Sequence, residues 1–267
     1  MVSKFKEYLV SGNLAKNTVT SYVWTVEYFL KHYDAVNKKN ILAYKGYLVE
    51  TFKPQTVNLR LQGLNKYLEF IKADKLKVKF VKVQQKNFLE NVISNADYSF
   101  LKTKLREDGY EEWYFVVWFM AATGARVSEL LHIKAEHVSL GYLDLYSKGG
   151  KVRRLYIPAK LSKEATIWLK KKGLNSGYIF LNRFGQRITT RGIAQQLKHF
   201  AEKYGLNRDV VYPHSFRHRF AKNFLEKFND LALLADLMGH ESIETTRIYL
   251  RRTSSEQQKI VDKVVTW

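Results

Sequence analysis

From Trp113 to Ala122 the chain reads WYFVVWFMAA, a stretch that is apolar on every side. A helix of this kind has no face to offer water, so it belongs at the centre of a domain large enough to surround it. A length of 267 residues leaves room for that domain and a second one, each with its own core. Hydrophobic residues make up 46% of the chain, enough to fold without staples. The absence of cysteine removes disulfides, thiolate metal sites and cysteine nucleophiles together, and agrees with a reducing compartment. No apolar run is long enough to span a bilayer, and the opening MVSKFKEYLVSGN lacks the uninterrupted apolar core of a secretory signal, so a cytoplasmic protein without membrane contacts is expected.

Forty-five Lys and Arg against 25 Asp and Glu leave a net charge of +20. An excess of that size favours a polyanionic partner, because phosphate neutralisation releases counterions. The surplus is shared, with 16 basic against 7 acidic side chains in residues 1–90 and 29 against 18 beyond them. Both parts are therefore expected to meet the polyanion, with a merely solvated basic surface as the alternative.

The patterning predicts a mainly α protein with a small β-hairpin. Val19, Tyr22, Val23, Val26, Phe29 and Leu30 recur at three- and four-residue steps, and Val57, Leu61, Leu64, Leu68 and Ile71 repeat the signature. With shorter helices near 3–11 and across 38–52, residues 1–75 read as a four-helix domain. A basic linker is expected over 76–90, where lysines interleave with short apolar residues; an edge strand is the alternative. Residues 91–267 then form the second domain around the apolar helix. Within it YLDLYSKGGKVRRLYIP reads as a hairpin with a basic tip, and Ser254 to Trp267 as a terminal helix or tail.

Three short segments carry chemistry. In PHSFRH, Pro213 suits a helix start, and His214 and Arg217 share a helical face. A helix N-terminus with a guanidinium fork suits a phosphodiester, and an adjacent imidazole can move a proton, although the pair alone is also what a surface patch looks like. In TGARVSEL, Gly124 is the expected stop of the apolar helix, and Arg126 after it must meet an anion or pair with an acid such as Glu129. In LMGHESIETTRIY, Gly239 closes one helix, Ser242 caps the next, His240 falls in the turn and Tyr249 lies two turns further on.

Taken in order, Arg126, Lys148 in SKGGKVRR, His214, Arg217, His240 and Tyr249 resemble the hallmark of the tyrosine recombinase, or phage integrase, family, including the nine-residue step from His240 to Tyr249. KNTVTSYVWTVEYFLKHY is similar to the opening of that family's helical core-binding domain. The layout resembles the compact Xer-type members more than the larger phage integrases. The resemblance implies an N-terminal core-binding domain, a C-terminal mixed α/β catalytic domain, and a DNA strand transferase that forms a 3′-phosphotyrosyl intermediate on Tyr249 without metal, cofactor or ATP.

On that resemblance Arg126 and Arg217 would clamp the scissile phosphate, His214 would take the phenolic proton, and His240 would orient the phosphate. Lys148 would protonate the leaving 5′-oxygen, with Lys151 as the rival for that role. Double-stranded DNA with paired core sites is the implied partner, and a homotetramer the implied synaptic assembly. The resemblance leaves open whether accessory proteins join. Two alternatives stay beside it, a type IB topoisomerase using related tyrosine chemistry and an inactive DNA-binding protein on the same scaffold.

Overall fold

A computed structural model of the chain describes residues 1–83, 91–146, 152–250 and 254–265. It divides into two compact units, Met1–Gln85 and Lys86–Trp267. Among the described residues no helix is long and apolar enough to cross a membrane.

The first unit consists of α1 (Val2–Ser11), α2 (Lys16–His32), α3 (Lys38–Thr51) and α4 (Pro54–Phe70). The Asn37 side chain caps α3 by accepting from the Asn40 N–H, and Pro54 opens α4 where its missing N–H has no helical partner to lose. The periodic apolar residues of α2 and α4 meet those of α3 in a core containing Phe29, Tyr44, Leu48, Leu61, Leu64 and Leu68, while Phe5 and Leu9 of α1 pack with Val26 and Tyr67. Each such side chain, fully buried, contributes about 1.5–3 kcal/mol.

After α4 a 3-10 turn at Asp74–Leu76 leads into extended chain that lies along this unit. Two asparagines of α4, seven residues apart and so on one face, hold it. Asn65 accepts from the Val78 N–H at 3.0 Å and donates to the Val78 carbonyl at 2.9 Å. Asn58 treats Val81 the same way, at 2.9 and 3.0 Å. The side-chain amides thus replace the partner strand that an edge strand would need, and Val78 and Val81 pack on the core while Lys75, Lys77, Lys79 and Lys82 are exposed. Of the stretch expected as a linker, residues 76–83 are therefore docked on the first unit, and 84–90 lie outside the described residues. Asn65→Ala unpairs two backbone groups and is expected to destabilise the docked segment by about 2 kcal/mol. Limited trypsin digestion should then cut faster at Lys77 and Lys79, and an unchanged rate would show that the asparagine does not hold the segment.

The second unit runs α5 (Asn95–Glu107), α6 (Glu111–Thr123), α7 (Val127–Leu130), α8 (Ala135–Leu140), β1 (Tyr142–Tyr146), β2 (Val152–Tyr156), α9 (Ala159–Lys171), α10 (Thr190–Lys203), α11 (Pro213–Phe228), α12 (Leu231–Met238), α13 (Ile243–Arg247), a 3-10 turn (Ile248–Leu250) and α14 (Ser254–Val264). The strands pair antiparallel with Leu143 opposite Leu155. As its composition requires, α6 is the central helix, with Val116, Val117, Phe119 and Met120 fully enclosed. Leu101 and Leu105 of α5, Trp168 of α9, Phe200 of α10 and Phe216 of α11 belong to the core around it. This packing presents the end of α6 and the start of α11 to each other.

Candidate active site

The site assembles where α6 ends. Gly124 takes φ +63°, and a Cβ there would stand 2.4 Å from Phe220 Cδ1 of α11, so only glycine ends the helix this close to its neighbour. The chain then turns into Arg126, whose backbone N–H donates to Glu129 Oε2 at 2.7 Å. The Arg126 guanidinium donates to Glu129 Oε1 at 2.8 Å and to the Gly239 carbonyl at 3.1 Å. Arg126 thus forms the salt bridge to Glu129, yet its side chain keeps 39% of its surface exposed and available to an anion. On the other side Glu129 accepts from Arg153 Nη2 at 2.6 Å, so one carboxylate holds two guanidiniums. Arg153 passes directly under Gly239, where a Cβ would lie 2.5 Å from its Cδ.

Arg217, on the first turns of α11, is 3% exposed. Its Nη1 donates to the Gly124 carbonyl and its Nη2 to the Met238 carbonyl, both at 2.6 Å. It therefore ties the C-terminal ends of α6 and α12 together, satisfying carbonyls those helices leave unpaired. Burial, with Arg126 nearby, pulls its pKa down to about 10, which keeps it cationic at neutral pH. The second contact of Nη2 is His240 Nε2 at 3.1 Å, and His240 Nδ1 meets Thr246 Oγ1 at 2.7 Å. Since guanidinium can only donate, Nε2 accepts and the ring proton sits on Nδ1. Burial and then the charge of Arg217 push the His240 pKa down to about 4, so the ring is neutral.

Tyr249 is carried differently from expectation. Helix α13 is capped by Ser242 as expected, but it stops at Arg247 and tightens into the 3-10 turn that holds Tyr249. The phenol is 6% exposed and lies nearly parallel to the His240 ring, with centroids 6.3 Å apart at 13°. Its hydroxyl meets His218 Nδ1 at 3.1 Å. Burial raises its pKa, and the charges of Arg217 and Arg126 act in the opposite sense. His214 stands in the first turn of α11 and reaches solvent, with its ring 6.2 Å from that of His218. Arg126, Arg217 and His240 thus meet around the Met238–His240 turn, Tyr249 lies against the His240 ring and bonds His218, His214 borders them, and Lys148 and Lys151 lie outside the described residues.

His218 and Arg153 were not singled out from the sequence, although signals for both exist. His218 follows His214 by four residues and so shares its face of α11. Arg153 is two residues before Leu155, which the alternation of β2 turns to the core, so its charge is on the inward side. Beside Arg126 and Arg153 a cleft of about 530 Å³ is also lined by Lys134, His132 and Tyr178. Among the described residues no group of three or more His, Asp or Glu is placed to hold a metal ion.

The description "phage integrase family" belongs to the family model that matches residues 89–256, and the chain belongs to that family of tyrosine-type site-specific DNA recombinases. Among its relatives, the tyrosine recombinase XerA of Pyrococcus furiosus is 28% identical over 275 residues, covering 98% of this chain and 93% of its own length. XerD of Listeria monocytogenes is 26% identical over 287 residues, covering 95% and 94%. The fold is shared with the Tn1549 transposon integrase solved in complex with a circular intermediate DNA, at a TM-score of 0.73 and 15% identity over 99% of both chains.

Proposed function

We propose that Tyr249 attacks a phosphodiester of double-stranded DNA, forms a 3′-phosphotyrosyl bond and releases a 5′-hydroxyl, and that a 5′-hydroxyl from a second duplex reverses the step to exchange strands. The observation that carries this reading is the enclosure of one phenol among Arg217 and His218 of α11, Arg126 after α6 and His240 after α12. Because the linkage energy is kept in the covalent bond, neither ATP nor a metal ion enters the scheme. Arg126 and Arg217 face the charge that builds on the non-bridging oxygens, and fixed donors of this kind do most where charge develops in the transition state. His240 borders the same point and would orient the phosphate, and His214, the base on the resemblance, borders it from the first turn of α11. Lys148, placed by resemblance, would protonate the leaving oxygen, with Lys151 as its rival.

In this scheme the first unit, with its exposed docked lysines, is the core-binding domain and the second is catalytic. Four protomers would join two duplexes, with α14 and the residues after it contacting a neighbour, and the reaction would take place in the cytoplasm. The test is to trap wild-type protein on nicked DNA from the region flanking its gene, digest with trypsin and locate the attached nucleotide by mass spectrometry. The nucleotide is expected on the Ile248–Arg251 peptide. Attachment to any other tyrosine would overturn the assignment.

A further inference from the structure

We propose that His218 is the group that takes the proton from Tyr249 when the phosphotyrosyl bond forms and returns it when DNA is rejoined. This rests on Tyr249 being the nucleophile. The two groups come from elements 31 residues apart and meet at 3.1 Å, within the distance a general base needs. Their rings stand 5.5 Å apart and tilted at 51°.

The neighbouring groups are occupied or chemically unsuited. Arg217 and Arg126 carry their protons throughout. His240 faces the phenol ring to ring, and its two nitrogens are engaged by Arg217 and Thr246. His214 reaches solvent from the first turn of α11, and the phenolic hydroxyl makes its imidazole contact with His218 instead. His218 is also in the correct form to accept. Burial, then the charges of His214 and Arg217, push its pKa down to about 4, so at neutral pH the ring is uncharged. With the hydroxyl donating to Nδ1, the ring proton is on Nε2. Arrival of a phosphate anion beside the site raises the basicity of the ring as the proton must move.

In the cleavage step the phenolic proton passes to Nδ1, the Tyr249 oxygen–phosphorus bond forms, the phosphorus–O5′ bond breaks, and the 5′-oxygen takes a proton from the general acid. In rejoining, the 5′-hydroxyl returns its proton to that acid, attacks phosphorus, and the departing phenolate recovers its proton from the His218 imidazolium. No oxidant, metal or further reactant is needed.

The experiment compares single-turnover cleavage of nicked DNA by the full-length wild type, His218→Asn, His218→Ala, His214→Asn and His214→Ala. An asparagine amide reaches the position of Nδ1 and keeps a hydrogen bond but cannot accept a proton. Both His218 variants are expected to bind DNA as wild type and to cleave about 10²–10⁴-fold more slowly. Imidazole added to the buffer should restore part of the rate of His218→Ala, in proportion to its free-base form, a response that a structural role would not produce. His214→Asn should lose less than His218→Asn. Wild-type cleavage by His218→Asn would overturn the proposal, as would imidazole rescue obtained with His214→Ala but not with His218→Ala. Should His218→Ala fail to fold, His218→Asn alone decides. Wild-type adducts that the Tyr249→Phe protein lacks secure the nucleophile separately, so a negative result here would remove only the base.

Discussion

A Tyr249→Phe protein is expected to bind DNA like the wild type and to form no covalent adduct at all. The substitution removes one oxygen and leaves a ring of the same shape stacked on His240, so the fold around the 3-10 turn should persist. What is lost is the only atom proposed to bond to phosphorus, and no positioning by the surrounding cations can replace it. A modest stability loss should accompany this, because His218 Nδ1 then has no partner in a half-buried position, at a cost of roughly 1–3 kcal/mol. Denaturing gels of protein-bound DNA, run beside a thermal melt, measure both effects. Rejoined product from this variant would mean that another residue is the nucleophile.

Arg217→Ala is expected to lower cleavage by about 10³–10⁵, the range over which a single arginine stabilises phosphoryl transfer. It should also weaken the fold, because the buried Gly124 and Met238 carbonyls lose charged donors at 2.6 Å. Each such bond is worth roughly 1.5–3 kcal/mol, so a visible drop in melting temperature is anticipated. Arg217→Lys separates the two effects. Lysine retains the charge, but its single ammonium cannot span both carbonyls and a phosphate as the planar fork does. The lysine variant should therefore recover stability before it recovers activity. Cleavage within tenfold of wild type by a folded Arg217→Ala protein would remove the residue from the mechanism.

These expectations depend on contacts of very different range. Stops and caps could be read locally: Gly124 and Gly239 adopt the left-handed backbone that ends a helix, Pro213 begins one, and Ser242 caps another. Amphipathic periods marked α2 and α4 of the first unit, and the all-apolar stretch of α6 identified the centre of the second. The docking of residues 76–83 was not legible, because it needs Asn58 and Asn65 to meet backbone groups 23 and 13 residues away. Local signals carry α13 on through Tyr249, whereas it tightens after Arg247 into a 3-10 turn as Tyr249 packs against α11.

The sequence by itself determined the helical framework, the basic character and the order of residues that resembles a recombinase, because periodicity, charge and motif spacing are properties of the chain alone. Only the tertiary structure decided which histidine touches Tyr249, how Glu129 holds Arg126 and Arg153 together, and that Arg217 bonds two helix ends. The physical reason is separation: Arg217 meets Gly124 across 93 residues and Arg126 meets Gly239 across 113. Such pairs are set by how helices pack around α6, and a hydrogen bond that forms or fails over less than an ångström leaves no trace in local sequence pattern.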